Sequence, residues 1–280
     1  MRLPDWIKVR DFIGTHHTKH LLRSKGVSTV CEEARCPNRG ECFSRPTAAF
    51  LILGDSCTRS CRFCLVNHSV PGPPDPTEPE RVAKAADEMG LKYVVITSVT
   101  RDDLSDGGAS HFAETVRMIR SRIPAAKVEV LIPDFQGQRE ALETVLRALP
   151  DVFNHNVETV PRLYRKVRPQ AVYLRSLEVL RMAGEIAPSI PVKSGMMLGL
   201  GESSGEVLSV MKDLREAGCD LLTIGQYLRP GKANLEVVEY LHPDVFEEYG
   251  RIALEMGYSF VVSAPLARSS MNAEEMYYRK

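Results

Sequence analysis

Short apolar runs alternate with amphipathic stretches along most of the chain after residue 47. The apolar runs predict six buried strands, at residues 48–54, 93–99, 128–134, 152–158, 192–200 and 221–228. Between them, apolar positions recur every three or four residues, which is typical of helices with one buried face. These predicted helices cover residues 79–90, 110–123, 139–149, 171–184 and 205–218. Strands that alternate with helices predict a parallel sheet with right-handed crossovers.

Six strand–helix units fit either a doubly wound α/β sheet or a barrel. We favour a partial (β/α)6 barrel of the TIM type, because polar residues cluster where the predicted strands end. Those residues are Thr97, Ser98, Asp134, Asn156, Glu158 and Gln226. A barrel builds its active site at that face. The predicted organisation is an N-terminal extension at 1–47, the barrel at 48–262 and a C-terminal tail over its mouth at 263–280.

Composition narrows the class of protein. The chain has 280 residues, of which 44% are hydrophobic, and its 36 basic and 36 acidic residues cancel. A zero formal charge gives no basic footprint for nucleic acid. No stretch approaches the ~20 apolar residues of a membrane helix, and the first residues lack the pattern of a signal or transit peptide. We expect a cytoplasmic protein that binds neither nucleic acid nor membrane.

Six of the seven cysteines form two trios between residues 31 and 64, which favours metal ligands in a reducing compartment over disulfides. The first trio, Cys57, Cys61 and Cys64, follows the first predicted strand with C-x3-C-x2-C spacing. Three thiolates suit a [4Fe-4S] cluster that keeps one iron without a cysteine ligand. A structural zinc site with His68 is an alternative, but zinc prefers four protein ligands. An electron carrier would place a fourth cysteine close behind, and none follows.

The second trio, Cys31, Cys36 and Cys42, has C-x4-C-x5-C spacing and again no local fourth cysteine. On its own it is compatible with zinc. Beside the first trio, a second iron–sulfur cluster becomes the favoured interpretation.

The first trio resembles the cluster loop of the radical S-adenosylmethionine (SAM) superfamily, which has C-x3-C-x-aromatic-C at this position of a partial barrel. The aromatic residue here is Phe63, which the resemblance places as a shield for the cluster. The resemblance implies that Cys57, Cys61 and Cys64 are catalytic cluster ligands and that SAM binds the open iron. One electron then cleaves SAM to a 5′-deoxyadenosyl radical, which abstracts hydrogen from an unactivated C–H bond.

Within that superfamily the chain resembles the sulfur-inserting family that makes the lipoyl group. The matching segments are 31–43, 97–112, 128–137, 151–169, 193–202, 221–230 and 267–270. The resemblance implies two [4Fe-4S] clusters, the second held by Cys31, Cys36, Cys42 and Ser270. Met271 stands where the family has tyrosine. Apart from the resemblance, Ser269 and Ser270 are typical of exposed residues near a chain end.

The implied reaction inserts two sulfur atoms at C6 and C8 of an octanoyl group on a carrier lysine. The sulfur comes from the auxiliary cluster, and each C–H bond consumes one SAM. The implied substrate is an octanoylated lipoyl carrier domain or glycine-cleavage H protein. A reductant such as ferredoxin or flavodoxin and an iron–sulfur carrier for cluster repair are further expected partners.

Polar residues at predicted strand ends are candidates for binding SAM. Asn156 and Glu158 are two residues apart, so on a strand they share one face and could contact the ribose or the amine. Arg168 could pair with the carboxylate, and Ser98 is a further candidate. A purely structural hydrogen-bonding role is the alternative for each of them.

Three other functions remain compatible with the sequence: a different multi-cluster radical SAM enzyme, a non-catalytic iron–sulfur carrier and a zinc-stabilised binding module. A carrier predicts fully ligated clusters that do not respond to SAM. A zinc module predicts a colourless protein with stoichiometric zinc.

Overall fold

The computed structural model describes residues 2–8, 15–44, 47–271 and 273–278. Parts of the predicted N-terminal extension and C-terminal tail, residues 1, 9–14, 45–46, 272 and 279–280, lie outside the described residues. The chain divides into two compact units. The N-terminal unit comprises Val9–Arg59 and Leu65–Phe153, and the C-terminal unit comprises Met1–Lys8, Ser60–Cys64 and Asn154–Lys280.

The N-terminal unit alternates strands and helices from β2 onward. Its elements are α1 (His16–Ser24), β1 (Ser28–Thr29), α2 (Val30–Glu33), α3 (Arg39–Ser44), β2 (Ala49–Ile52), α4 (Glu78–Glu88), β3 (Tyr93–Ser98), α5 (Ala109–Arg122), β4 (Lys127–Leu131) and α6 (Arg139–Leu146). A 3-10 turn, Phe135–Gly137, follows β4. The β2–β3 and β3–β4 pairs are parallel, and β1 pairs antiparallel with β2.

Burial explains why these runs form strands. Every residue of β2 is buried, and so are the first five residues of β3. Helices α4, α5 and α6 each bury one apolar face, as parallel strands covered by crossover helices require. In the sheet register Ile52 lies opposite Ser98, and Thr97 lies opposite Leu131. This register places the residues that follow β2, β3 and β4 at the same edge of the sheet.

The C-terminal unit continues the strand–helix alternation. The short strand β5 (Val152–Asn154) contains the point where the two units divide. The later elements are α7 (Tyr164–Val167), α8 (Tyr173–Ile186), β6 (Val192–Leu198), α9 (Ser204–Glu216), β7 (Leu221–Gln226), α10 (Pro243–Glu255), β8 (Phe260–Ser263) and α11 (Ala273–Tyr278). Strand β7 pairs in parallel with both β6 and β8.

All six predicted strands and all five predicted helices are confirmed, with shifted ends. Among the elements after residue 47, helices α7, α10 and α11 and strand β8 were not predicted. The prediction for residues 152–158 is wrong in one respect, because β5 ends at Asn154. Glu158 has φ +66°, in the left-handed region, and joins β6 only through an isolated bridge to Met196. Asn156 and Glu158 therefore lie in an irregular segment and do not share the face of a strand.

None of the helices in the described ranges combines the length and the apolar character needed to span a bilayer.

Candidate metal centres and cofactor site

Cys57 is held by the N-terminal unit at the start of the cluster loop. Its backbone N–H donates to the carbonyl of Asn67 at 2.8 Å. Its Sγ accepts hydrogen bonds from the backbone N–H groups of Arg59 at 3.5 Å and Thr100 at 3.3 Å. These two backbone donors restrain the position of the sulfur. The Cys57 side chain is thus held in place where a metal ligand is predicted.

Cys61 and Cys64 belong to the C-terminal unit, where they form a tight turn. The N–H of Cys64 donates to the carbonyl of Cys61 at 3.1 Å. The Asn234 side-chain amide donates to the carbonyl of Cys64 at 2.8 Å and to that of Arg62 at 3.2 Å. The Arg62 N–H in turn donates to the carbonyl of Val167 at 2.8 Å. The sequence did not point to Asn234, which lies 170 residues from Cys64.

Phe63 is half-buried between these two cysteines. Its role as a shield of the cluster stays a prediction.

The second trio comes together in the N-terminal unit. Cys31 lies in α2, Cys42 lies in α3, and Cys36 occupies the turn between the two helices, with its N–H donating to the carbonyl of Cys31 at 3.0 Å. Burial, together with the negative charges of Cys36 and Cys42, raises the pKa of the Cys31 thiol to about 12. A buried thiol with a raised pKa keeps its proton until a metal cation replaces it.

The two donor sets fit iron–sulfur clusters by their chemistry. None of the seven cysteines, all of which the structure describes, forms a disulfide. Within the described residues, no three side chains of His, Cys, Asp or Glu are arranged to hold a single metal ion. Three thiolates in each trio are the soft donors that such clusters use.

Asn156 and Glu158 meet beside the terminal Arg-Ser-Ser segment in the C-terminal unit. The Asn156 amide donates to Glu158 Oε1 at 3.1 Å and to Ser269 Oγ at 2.8 Å. Burial raises the pKa of Glu158, against the opposing effect of the Arg168 charge. A Cβ added to Gly195 would lie 2.9 Å from Asn156 Oδ1 and 3.2 Å from Ser269 Oγ, so the glycine makes room for this contact.

Arg168 is buried and directed at the irregular segment after β5. Its Nη1 donates to the carbonyls of Asn156 and Val157 at 3.0 and 3.1 Å, and its guanidinium lies 5.4 Å from the ring centre of Tyr164. These contacts stabilise backbone carbonyls that a regular strand would pair. Whether Arg168 also pairs with the SAM carboxylate stays a prediction.

Ser270 is half-buried in a turn that the N–H of Met271 closes by donating to the carbonyl of Arg268 at 2.8 Å. The neighbouring Ser269 is held by hydrogen bonds from two side chains. Its carbonyl accepts a hydrogen bond from Lys193 Nζ at 2.6 Å, in addition to the contact with Asn156. Lys193 is fully buried in β6, and it was not among the candidate residues predicted from the sequence. A lysine within a predicted buried strand was the signal that could have revealed it.

Ser98 ends β3 in the N-terminal unit, opposite Ile52 of β2. Its Oγ is buried and has no hydrogen-bond partner among the described residues. A hydroxyl in this state could donate a hydrogen bond to a ligand or accept one from it, and the contact of Ser98 with SAM stays a prediction.

Comparison with known proteins first defines the class. The family model of the radical SAM superfamily matches residues 51–214. Methylornithine synthase (PylB) superposes with a TM-score of 0.57 over 89% of this chain and 82% of its own, at 14% identity. Streptococcus suis SuiB bound to SAM gives 0.59 over 81% of this chain and 54% of its own, at 11% identity. At such low identities the superpositions show the fold alone. They confirm the predicted partial TIM-type barrel. The chain belongs to the radical SAM superfamily.

Curated relatives narrow this class further. The chain is 54% identical over 276 residues to the lipoyl synthase of Alkaliphilus metalliredigens, covering 98% of this chain and 95% of the relative. It is 56% identical over 274 residues to that of Rubrobacter xylanophilus, covering 97% and 85%. The lipoyl synthase of Methylococcus capsulatus is 54% identical, with 98% and 86% covered. Within the superfamily, the chain is a member of the lipoyl synthase family, and the resemblance found in the sequence is confirmed.

Proposed function

We propose that this enzyme inserts two sulfur atoms, at C6 and C8, into an octanoyl group carried on a protein lysine. The observation that carries the proposal is the 54% identity to lipoyl synthases across 98% of the chain. When bound, one [4Fe-4S] cluster supplies the electron that cleaves SAM, and the auxiliary cluster supplies sulfur. The protein contributes ligands, position and a site from which water is excluded.

Cys57, Cys61 and Cys64 would hold the cluster that binds SAM, and Cys31, Cys36 and Cys42 would hold the auxiliary cluster with Ser270. Hydrogen bonds to Cys57 Sγ support the first assignment, and the grouping of the second trio around buried Cys31 supports the second. A hydroxyl is a weaker soft-metal ligand than a thiolate. Ser270 would therefore be the ligand most easily released when the auxiliary cluster gives up sulfur.

Ser98, Asn156, Glu158 and Arg168, with Phe63 beside the cluster, would contact SAM. The unpartnered hydroxyl of Ser98 supports its part. Glu158 could accept a hydrogen bond from the SAM amine, because the Asn156 amide already orients its carboxylate through a hydrogen bond of 3.1 Å to Oε1.

The substrate that the family name implies is an octanoylated lipoyl domain, and the glycine-cleavage H protein would be equivalent in chemistry. A ferredoxin or flavodoxin as reductant and an iron–sulfur carrier for repair are further parts of the proposal. Six thiol ligands argue for a reducing compartment, so a cytoplasmic location stays a prediction. The division into extension, barrel and tail at residues 47 and 262 also stays a prediction.

Anaerobic reconstitution tests the function. With an octanoylated lysine peptide, SAM and a reductant, we expect the dithiol product together with 5′-deoxyadenosine. Iron analysis should give about eight irons per chain, falling to about four when Cys31, Cys36 and Cys42 are replaced by alanine. The triple variant should still cleave SAM but form no dithiol.

Three results would overturn the proposal. A single cluster in the intact protein would remove the sulfur source. Stoichiometric zinc in an anaerobic preparation would indicate a zinc module. An electron paramagnetic resonance spectrum that SAM leaves unchanged would indicate an electron carrier.

A further inference from the structure

Arg59 lies between the first two cysteines of the cluster loop and is 4% exposed. Its Nε and Nη2 bind both carboxylate oxygens of Asp102, at 2.7 and 2.8 Å. The same Nη2 also lies 2.6 Å from Oδ1 of Asp134, which is fully buried. One guanidinium therefore joins the loop after β2 to residues that follow β3 and β4. A planar fork is suited to this geometry and a lysine ammonium is not.

The position of Asp134 is fixed by a strained turn. Phe135 and Gln136 both have left-handed backbones, with φ of 42° and 54°. Asp134 Oδ1 accepts from the N–H of Gln136 at 3.1 Å, and Phe135 is buried. A Cβ at Gly107 would lie 2.8 Å from the Phe135 ring, so only glycine fits there. Strained backbone of this kind persists when its surroundings hold it, and it is concentrated at functional sites.

The segment that carries Asp102 also reaches the sulfur ligand. Thr58 Oγ1 donates to the carbonyl of Thr100 at 3.0 Å and accepts from the N–H of Asp102 at 3.1 Å. The N–H of Thr100 donates to Cys57 Sγ at 3.3 Å. Asp102, whose carboxylate binds Arg59, thus lies two residues after Thr100, whose N–H donates to the sulfur of Cys57.

The residue that leads into the loop is fixed as well. Leu53 has φ +67°, its N–H donates to Glu78 Oε2 at 2.7 Å, and its carbonyl accepts from Arg101 Nη1 at 3.3 Å. A Cβ at Gly108 would come within 2.3 Å of the Leu53 side chain. Residues in the segment 101–108 therefore contact and restrain both Leu53 and Arg59.

We propose that Arg59 is a positioning residue: by binding Asp102 and Asp134 it fixes the first half of the cluster loop, so that Cys57 is presented to the metal in one geometry. The inference rests on the proposed function in one respect, namely that this loop holds an iron–sulfur cluster. The effect of losing these contacts should be confined to one cluster. Weakening the hydrogen bonds of Arg59 to Asp102 and Asp134 should weaken the binding of the cluster that binds SAM and leave the auxiliary cluster unchanged.

The test uses the full-length protein, loaded with both clusters and exposed anaerobically to a ferrous-iron chelator. In the Arg59→Lys variant, we expect about half of the iron to leave roughly tenfold faster than in the wild type, as the loss of a charge-assisted hydrogen bond implies. The other half should leave at the wild-type rate. Asp102→Asn should act in the same direction, and because Asp102 is only half-buried this variant is expected to fold normally.

Two further measurements show which of the two clusters loses its iron faster. The first places Arg59→Lys in a chain whose Cys31, Cys36 and Cys42 are replaced by alanine. All the iron that this chain holds should then leave at the faster rate. The second titrates Arg59→Lys with SAM and follows the electron paramagnetic resonance spectrum. The SAM concentration at half of the spectral change should rise roughly tenfold, because a displaced cluster presents its open iron less well. Asp87→Asn, which removes a surface ion pair with Arg122, is the matched control and should change neither quantity.

The outcomes separate the two proposals. If the wild type holds only one cluster, the proposed function fails whatever Arg59 does. If it holds two and Arg59→Lys releases both at wild-type rates, the role of Arg59 is refuted alone. Equal acceleration of both halves would show a general loss of stability and would also refute it.

Discussion

Lys193 places a positive charge inside β6, where no part of the residue reaches solvent. Its ammonium donates to the carbonyl of Ser269, which lies 76 residues further along the chain. A hydrogen bond from a charged donor stabilises by about 1.5–3 kcal/mol. The lysine therefore helps to hold the terminal segment next to the proposed ligand Ser270.

Replacing Lys193 with methionine tests this role while nearly preserving side-chain volume. We expect the backbone amides near residues 267–271 to exchange hydrogen roughly tenfold faster or more, because a hydrogen bond of about 1.5–3 kcal/mol is lost. Hydrogen–deuterium exchange with mass spectrometry measures this directly. Lys212→Met, on the exposed face of α9, is the control. Unchanged exchange at the terminal segment would show that Lys193 does not restrain it.

At this scale the cysteine spacing pointed to two groups of metal ligands, an assignment that stays a prediction, but it did not point to the residues that contact them. Cysteine spacing is local, so both trios were visible within a few residues. Arg59 and Asp134 are 75 residues apart, and no periodic pattern links them. The spacing of Asn156 and Glu158 indicated that they act together, although the strand on which this was based ends earlier.

Among the helices, α9 shows how the sequence fixes a boundary. Ser203 and Glu206 form a capping box at its N-terminus, and Arg162 binds the Glu206 carboxylate through two nitrogens. The hydrogen bonds from Arg162 and from the Ser203 backbone lower the pKa of Glu206 to about 2. An ionised Glu206 therefore stabilises the folded state above the unfolded pKa of about 4.3.

Glu206→Gln should reveal this contribution as a pH dependence. Because the folded pKa is the lower one, the stabilisation is complete near pH 7 and is lost as the pH falls from about 4.3 towards 2. The difference in melting temperature between wild type and variant should be larger at pH 7 than at pH 3. Thermal melts followed by circular dichroism at both values measure it. A difference that grows on acidification would contradict the assignment.

Elements with a fully buried face were predicted well, and those without one were not. Strand β8 has no fully buried residue, so its alternation is weak, and its place beside β7 depends on tertiary contact. Helix α10 buries only Phe246, Tyr249 and Ala253 on one face. Strand β5 ended early because Arg168, not a neighbouring strand, satisfies the carbonyls of Asn156 and Val157.

For the whole molecule, metal loading should contribute to stability. Three thiolates brought close together repel one another until a cation neutralises them, and a cluster that binds only the folded chain shifts the folding equilibrium towards the folded state. We expect loaded protein to melt on the order of 10 °C above protein stripped of iron, measured by anaerobic calorimetry. The triple variant at Cys31, Cys36 and Cys42 should show a smaller difference. Identical melting temperatures with and without iron would contradict the expectation.

The attachment of Ser269 has a consequence for the order of events during synthesis. On the ribosome, Cys31 emerges 239 residues before Ser270. Ser269 can be anchored only after Asn156 and Lys193 have been translated and have reached their places. A nascent chain would thus display the second cysteine trio for a long interval before the proposed hydroxyl ligand, Ser270, exists. Maturation of that centre would then be a late event, completed on chains whose translation has passed the terminal serines.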